Sequence, residues 1–128
     1  MSEPIVLISH HKMKQDKIDA FRKVHQEKTL LLQEQKPDTI VFLAYAGEDG
    51  GEVSFVHVFP DAEAMDIHFQ GADERSKQAY EFMQPKSMEI YGLPNDGVLE
   101  MMKQIAESGV VVSIDTDHLG GFLRLKPG

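Results

Sequence analysis

The feature that most constrains the fold is the stretch 52–69, in which the residue pattern changes from that of a strand to that of a helix at one proline. Residues 52–59 are rich in β-branched and aromatic side chains, which favours a buried strand. Pro60 ends that strand, and Asp61 can cap a short helix that ends near Gly71. The pattern therefore predicts a strand that turns directly into a helix.

A second strand, 39–47, precedes the first and is joined to it by Glu48-Asp-Gly-Gly51. An Asp-Gly pair between two β-rich segments is a strong hairpin signal, because glycine accepts the positive φ that such turns need. Residues 39–46 are apolar at nearly every position, whereas a strand with one wet face should alternate. Both faces therefore need cover, and we expect a homodimer in which two copies of the sheet meet face to face.

The remaining segments complete a β-α-β-β-α-β order, which is an α+β, ferredoxin-like arrangement with helices on one face of an antiparallel sheet. Its other members are predicted as a strand over 4–11, a helix over 13–35, a helix over 72–84 and a strand over 87–92. Beyond Pro94 the sequence predicts a helix over 95–108 and two short strands, 110–114 and 122–125. We therefore expect one domain, with a core over 1–93 and an extension of the same domain over 94–128.

Composition excludes several classes of function. The 128 residues carry a net charge of −8 without a basic cluster, which argues against nucleic acid or an anionic membrane as a partner. The absence of cysteine excludes disulfides, thiolate metal sites and cysteine nucleophiles. No segment has the length and apolarity of a membrane span, and the first residues lack the basic start of a signal peptide, so we expect a cytoplasmic protein.

Two histidines are the best candidates for catalysis. His68 shares a helix face with Ala64 and Met65, so it should point at the sheet, where an imidazole could accept a phenolic proton at neutral pH. His57 alternates with Phe55 and Phe59, and such surroundings favour the uncharged base. The structural alternatives are a core histidine bonded to a backbone carbonyl for His68 and burial in a dimer interface for His57.

A metal site is an alternative use of the same side chains. His10 and His11 point to opposite faces of the first strand, and one of them could join His57 and His68 around zinc, copper or iron. However, no pair of histidines has the spacing that places two ligands on one element. We therefore expect neither a metal nor another cofactor, and the sequence has no glycine-rich phosphate loop or Gly-x-Ser-x-Gly motif.

Further side chains are candidates for contact with a small hydrophobic or aromatic ligand. Tyrosine can donate to a ligand oxygen, and methionine and phenylalanine can form soft pocket walls, although all of these also serve as core residues. The candidate substrate-binding residues are His10, Tyr45, Phe59, Met65 and Phe82.

The order of elements, the doubly apolar sheet and the segment Val58-Phe-Pro-Asp-Ala-Glu-Ala-Met-Asp-Ile-His68 resemble the antibiotic-biosynthesis monooxygenase family over residues 4–92. The resemblance implies a homodimeric α/β barrel and, in some members, oxidation of polycyclic phenols or quinols by dioxygen without a cofactor. The sequence departs from the family at Phe59, often tryptophan, and at His57, often acidic. The strand-one asparagine and the tryptophan of the haem-degrading branch are missing, which disfavours haem degradation.

These observations lead to one hypothesis and two alternatives. The hypothesis is a cofactor-independent monooxygenase acting on a small aromatic molecule or quinol, with His57 and His68 as base and anion stabiliser. The alternatives are a non-catalytic or stress-related dimeric barrel that binds a hydrophobic small molecule, and an isomerase of a small metabolite. A pocket that holds both imidazoles would favour the enzyme, whereas a tightly packed interior would favour the binding protein.

Overall fold

The computed structural model of the chain describes residues 3–124. In this range the chain forms one sheet and four helices. In chain order the elements are β1 (Ile5–Met13), α1 (Ile18–Gln35), β2 (Val41–Ala46), β3 (Glu52–Phe59), α2 (Ala62–Phe69), α3 (Ala72–Ala79), β4 (Met83–Tyr91), α4 (Asp96–Glu107) and β5 (Val111–Asp115).

The five strands lie in the order β2-β3-β1-β4-β5. The first four pair antiparallel, which is the ferredoxin-like order, and the predicted α+β class is confirmed. β5 joins the outer side of β4 in parallel, so the complete sheet is mixed, where a purely antiparallel sheet was expected. The sheet is open within one chain, because β2 and β5 form separate edges.

The helices cover one face of the sheet. Alternate residues of β1, from Ile5 to Met13, are buried, and those of β3, from Val53 to Phe59, are buried in the same way. Leu7 lies opposite His57 and Ser9 lies opposite Phe55, so the buried residues of the two strands share this face. Because side chains alternate along a strand, the intervening residues form the opposite face. Their side chains are only partly buried, and we call this side the uncovered sheet face.

Two apolar clusters fill the space between sheet and helices. The larger one includes Ile5, Phe59, Met65 and Ile90, and helix α4 contributes Val98 and Met102 to it. The smaller one lies at the other end of β1 and β3 and contains Met13, Phe21, Val53, Phe55 and Met83. The extension beyond residue 93 is thus part of the main core.

The boundary between β1 and α1 differs from the prediction. The expected helix over 13–35 begins only at Ile18, because Met13 pairs with Met83 and continues the buried alternation of β1. A turn follows, in which Asp16 has a φ of 60°. The apolar side chain of Met13 fits both the alternation of a strand and the spacing of a helix. Its pairing with Met83 makes it a strand residue.

The helix predicted over 72–84 is also too long. It ends at Ala79, and the strand expected over 87–92 already begins at Met83. α3 buries none of its side chains, whereas Met83 gains complete burial as a strand residue. Pro85 fits inside β4 because the register against β1 shifts there. At such a bulge the strand pairing does not need the backbone N–H that proline lacks.

The C-terminal extension contains one of its two predicted strands. The strand expected over 110–114 forms as β5. Residues 122–124 of the second form no strand, since Phe122 is 80% exposed and has no ladder partner, and residue 125 lies outside the described residues. Gly92, with a φ of 116°, connects the extension to the core, and its backbone N–H donates to the carbonyl of Asp115 at 2.8 Å.

The uncovered sheet face carries apolar side chains as the hairpin pattern predicted. Leu43 and Tyr45 of β2 are 46% and 63% exposed there, and Ile8 and Val56 lie on the same face, partly buried. Over residues 3–124, none of the helices combines the length and apolarity needed to cross a membrane.

A matched pair of leucines tests the assignment of the core. Leu7 is 3% exposed and Leu119 is 92% exposed. We expect Leu7→Ala to lower the free energy of unfolding by about 2–5 kcal/mol, because it removes buried methyl groups and leaves a cavity. Leu119→Ala should change it by less than about 0.5 kcal/mol. Equal effects of the two changes in urea unfolding would contradict this packing.

Candidate functional site

His57 and His68 meet at the interface between sheet and helices. His57 lies on the helix-covered face of β3, and His68 lies in the last turn of α2. Asp61 starts that helix, and its side chain accepts a hydrogen bond of 2.8 Å from the backbone N–H of Ala64. The two imidazole rings meet edge to face, with centroids 5.0 Å apart and an angle of 78° between the planes.

Two phenylalanines enclose this pair of imidazoles. Phe42 of β2 lies opposite His57, and its ring centroid is 5.0 Å from His57 and 6.1 Å from His68. Phe59 is completely buried, and its ring centroid is 5.9 Å from His57 and 5.2 Å from His68. The four rings form a compact group, which we call the ring cluster: Phe42, His57, Phe59 and His68.

The hydrogen bonds of the two imidazoles differ. The Oγ1 of Thr39, just before β2, is 2.8 Å from the Nδ1 of His68, so this bond ties α2 to the edge of the sheet. The Nδ1 of His57 is buried and has no hydrogen-bond partner among the described residues. An unsatisfied buried nitrogen is costly, and it is the kind of group that a ligand hydroxyl could satisfy.

Burial keeps both imidazoles uncharged. Desolvation lowers the pKa of His57 to about 3, and the charges of His68 and Arg75 act in the same direction, against a smaller opposing effect of the backbone of Leu7, whose contact lacks the geometry of a hydrogen bond to Nδ1. Desolvation also lowers the pKa of His68 to about 4, and Arg75 and Lys36 add to the shift. Both rings can therefore accept a proton at neutral pH, although each alone is a weak base.

Two cations hold the carboxyl end of the helix that carries His68. The Nζ of Lys36 donates to the carbonyls of Ile67 and Gln70, at 2.8 and 3.2 Å. The guanidinium of Arg75 donates to the carbonyls of His68 and Gln70. These bonds satisfy free carbonyls at the helix end and place positive charge where the helix dipole favours it.

Two further histidines, the buried His11 and the half-buried His25, continue the aromatic layer along the sheet. His25 of α1 has ring centroids of Phe42 and Phe55 at 5.4 and 5.6 Å, and His11 of β1 has that of Phe55 at 5.2 Å. Desolvation lowers the pKa of His25, and it lowers the pKa of His11 to about 4. In each of the two rings Nδ1 is buried without a partner among the described residues.

The structure separates the sequence-predicted site residues into three places. Phe59 and Met65 lie with His57 and His68 in the larger core cluster or directly beside it. His10 and Tyr45 lie on the uncovered sheet face. Phe82 packs against the smaller cluster, with its ring 5.8 Å from that of Phe21.

His10 belongs to a separate polar row on the uncovered face. Its Nδ1 is 2.8 Å from the Oγ of Ser54, its Nε2 is 3.0 Å from a carboxylate oxygen of Glu89, and Tyr91 donates to the other oxygen of that carboxylate at 2.7 Å. His11, the alternative strand-one histidine, is the one that shares the face of His57. Over residues 3–124, three or more side chains suited to a metal do not come together.

Sequence reasoning missed Thr39, Arg75 and Lys36. The sequence predicted Thr39 only as a strand residue. Its hydrogen bond to His68 exists only because the fold brings the two residues together. Lys36 comes from the end of α1 and Arg75 from α3, and their charge suggested solvent exposure, whereas Arg75 is half-buried against α2. The one local signal was that Lys36 follows directly on the end of α1.

The two imidazoles are closed off from solvent in this conformation, since His68 is only 3% exposed and His57 is 9% exposed. A cleft of about 380 Å³ lies between α1, the end of α2 and the start of α3. Its lining includes Lys36 and Arg75 but neither imidazole.

Comparison with known proteins bears on the fold. No protein-family model matches the sequence, and no curated protein matches it. Among solved structures, MupZ from Pseudomonas fluorescens has a TM-score of 0.70 at 13% identity, covering 95% of this chain and 91% of that one. A "Putative antibiotic biosynthesis monooxygenase" from Bacteroides thetaiotaomicron has a TM-score of 0.61 at 14% identity, covering 97% of both chains.

SnoaB from Streptomyces nogalater, a cofactor-independent oxygenase, has a TM-score of 0.59 at 9% identity and covers 73% of this chain and 96% of that one. At such identities the likeness concerns the fold alone. The predicted resemblance to antibiotic-biosynthesis monooxygenases is thus confirmed as a structural one. MupZ and the Bacteroides protein match over nearly the whole chain, so their coverage includes the C-terminal extension.

The buried histidines predict how stability depends on pH. The unfolded chain binds protons at these rings below about pH 6.5, whereas folded His11, His57 and His68 stay neutral down to about 4, 3 and 4. The contribution of these neutral rings to the free energy of unfolding is therefore fully present above pH 6.5. It is lost as the pH falls towards 4. Each such ring contributes a slope of about 1.4 kcal/mol per pH unit between these limits.

We expect His57→Leu to reduce this slope by about 1.4 kcal/mol per pH unit between pH 5 and 6, as measured by urea unfolding, because one fewer proton is taken up on unfolding. The matched control is His118→Leu, since His118 is exposed in the C-terminal loop, and its removal should leave the slope unchanged. A wild-type free energy of unfolding that does not fall over this range would contradict the burial of neutral imidazoles.

Proposed function

We propose that this protein is a cofactor-independent monooxygenase that acts on a small polycyclic phenol or quinol. The observation that carries the proposal is the ring cluster: two uncharged imidazoles in edge-to-face contact, enclosed by phenylalanines, with one buried nitrogen unsatisfied. Such a site offers aromatic stacking together with a proton acceptor. The fold that it shares with SnoaB, a cofactor-independent oxygenase, supports the same reaction class.

The reaction needs no group beyond substrate, dioxygen and a base. His57 or His68 accepts the phenolic proton, and the resulting imidazolium is stabilised beside the substrate anion. The anion supplies the electrons: the phenolate C–O becomes one carbonyl, and a ring C–H carbon takes one atom of dioxygen and becomes a second carbonyl. One O–H and one C–H bond break, and the other oxygen atom leaves as water with both protons, including the one returned by the imidazolium. Because each imidazole is a weak base, an acidic polycyclic phenol is a better substrate than a simple phenol.

Substrate entry requires movement of the helices, because the imidazoles are enclosed. α3 buries none of its own side chains, so displacing it costs little apolar burial. It adjoins α2 through Gly71, which has a φ of 82°. We infer that α3 moves outward and lets an aromatic ligand stack on Phe42, while His68 stays bonded to Thr39.

A second candidate is a barrel that binds a hydrophobic small molecule without turnover. The observation that favours it is the close packing of the ring cluster, in which His68 is only 3% exposed. The isomerase alternative has no comparable observation in its favour. The two remaining candidates differ in whether oxygen is consumed.

Oxygen uptake measured with a panel of polycyclic quinols distinguishes these functions. We expect turnover by the wild type and a loss on the order of 10²-fold or more in kcat for His68→Ala and for His57→Leu, because each removes a proton acceptor or its partner. His118→Ala should retain full activity. No uptake by the wild type, together with tight retention of a quinol, would exclude the oxygenase and leave the binding protein.

We further propose that two copies pair through the uncovered sheet face. Leu43, Ile8, Val56 and Val111 give this face an apolar character, and Val111 is 69% exposed. Burying these side chains against a second copy removes that apolar area from water. The polar row of His10 and Glu89 would then lie at the centre of the paired sheets.

The oligomeric state tests this pairing. We expect the wild type to sediment at twice 14.4 kDa, and Leu43→Asp to dissociate it, because the change places a charge in the apolar contact. The control Leu119→Asp alters a leucine that is 92% exposed in the C-terminal loop, and it should leave the dimer intact. A stable wild-type monomer at micromolar concentration would contradict the proposal.

A further inference from the structure

The cleft between α1 and the junction of α2 and α3 has an unusual charge for this protein. Its volume is about 380 Å³, and Lys28, Lys36 and Arg75 line it together with one carboxylate, Glu27. The whole chain carries a net charge of −8. Three cations against one anion therefore make this cleft a local positive site on an acidic protein.

The roles of the three cations in the fold differ. Lys36 and Arg75 donate to the carbonyls at the end of α2, and this structural role accounts for their positions. Lys28 has no such role, because among the described residues it forms neither a hydrogen bond nor an ion pair. It is nevertheless half-buried, next to Arg75. The hydrocarbon stem of Lys28 accounts for this burial, and its ammonium group lines the open cleft, where it can meet an anionic ligand.

The electrostatics at Lys28 favours the binding of an anion. Desolvation lowers the pKa of Lys28, and the positive charge of Arg75 adds to the effect. Desolvation also lowers the pKa of Arg75. An anion placed between these side chains would oppose these shifts by favouring the charged forms, and it would form charge-assisted hydrogen bonds with them.

The remaining wall of the cleft is apolar. Val24, Leu31 and Leu32 of α1 line it, and Leu31 is 55% exposed. A ligand that matches the cleft therefore needs an anionic end and an apolar body. The volume suits a molecule of about ten non-hydrogen atoms more than a bare inorganic ion.

We propose that this cleft is a binding site for an amphipathic small-molecule carboxylate, whose carboxylate contacts Lys28 and Arg75 and whose hydrocarbon part lies on Leu31. The site is separate from the ring cluster and does not depend on the proposed oxygenase activity. It is connected to that cluster through the backbone, since Arg75 donates to the carbonyl of His68.

Backbone amide NMR titration of the full chain with sodium octanoate tests the site. Octanoate should cause saturable shifts at Gln70 and Gly71, which line the cleft, and none at the distant Gly109. Acetate, which lacks the hydrocarbon part, and octanamide, which lacks the charge, should each bind about tenfold more weakly or worse. Acetate binding as tightly as octanoate would overturn the amphipathic assignment.

Variants of α1 identify the contacts. Lys28→Gln should weaken octanoate binding about tenfold, because a charge-assisted hydrogen bond is lost, whereas Lys28→Arg should retain it. The matched control is Lys23→Gln, at an exposed position on the same helix and outside the cleft. Equal affinity in Lys28→Gln and Lys23→Gln, or octanoate shifts spread outside the cleft, would overturn the proposal.

If Lys28→Gln does not fold, Leu31→Gln provides a second test. It changes a leucine that is 55% exposed, so the fold should tolerate it. We expect Leu31→Gln to weaken octanoate binding several-fold and to leave acetate binding unchanged. An unchanged affinity for octanoate would overturn the assignment of the apolar wall.

Discussion

The register between β1 and β3 is the constraint on which the rest of the structure depends. With Leu7 opposite His57, the odd-numbered residues of both strands face the helices. A slip of one residue would turn every one of these side chains to the other face. The imidazole of His57 would leave the ring cluster, and Ile5, Leu7 and Phe59 would leave the core. The candidate site and the hydrophobic core are thus specified by the same pairing.

Much of this fold could be predicted from sequence because the strongly periodic segments have only one compatible structure. The hairpin of β2 and β3 and the helix starting at Asp61 follow from local chemistry, namely a turn pair, a proline and a capping carboxylate. The predicted boundaries are wrong where an apolar residue fits both a helical and a strand period. Met13 and Met83 are apolar ends of segments, and they became strand residues because they pair with each other across the sheet.

The candidate site was predictable in its two imidazoles but not in their surroundings. Alternation along β3 and spacing along α2 place His57 and His68 on core-facing sides, which needs no tertiary information. His68 contacts Thr39, 29 residues away, and both imidazoles contact Phe42 of β2, and no local pattern encodes such contacts. The loss of positive charge at these rings is likewise a result of packing, since neutral imidazole is forced by the absence of water.

The position of β5 has a consequence for the integrity of the chain. Several solved structures of this fold match only about 70% of the chain, whereas here β5 occupies the outer side of β4 and α4 covers Ile90 and Phe59. Cutting the chain after residue 93 would uncover that hydrogen-bonding edge and the apolar surface beneath α4 at once. Unpaired strand edges template association with other chains. We therefore expect a chain cut after residue 93 to aggregate more readily than the intact chain, whose edge strand β5 is shorter than β4.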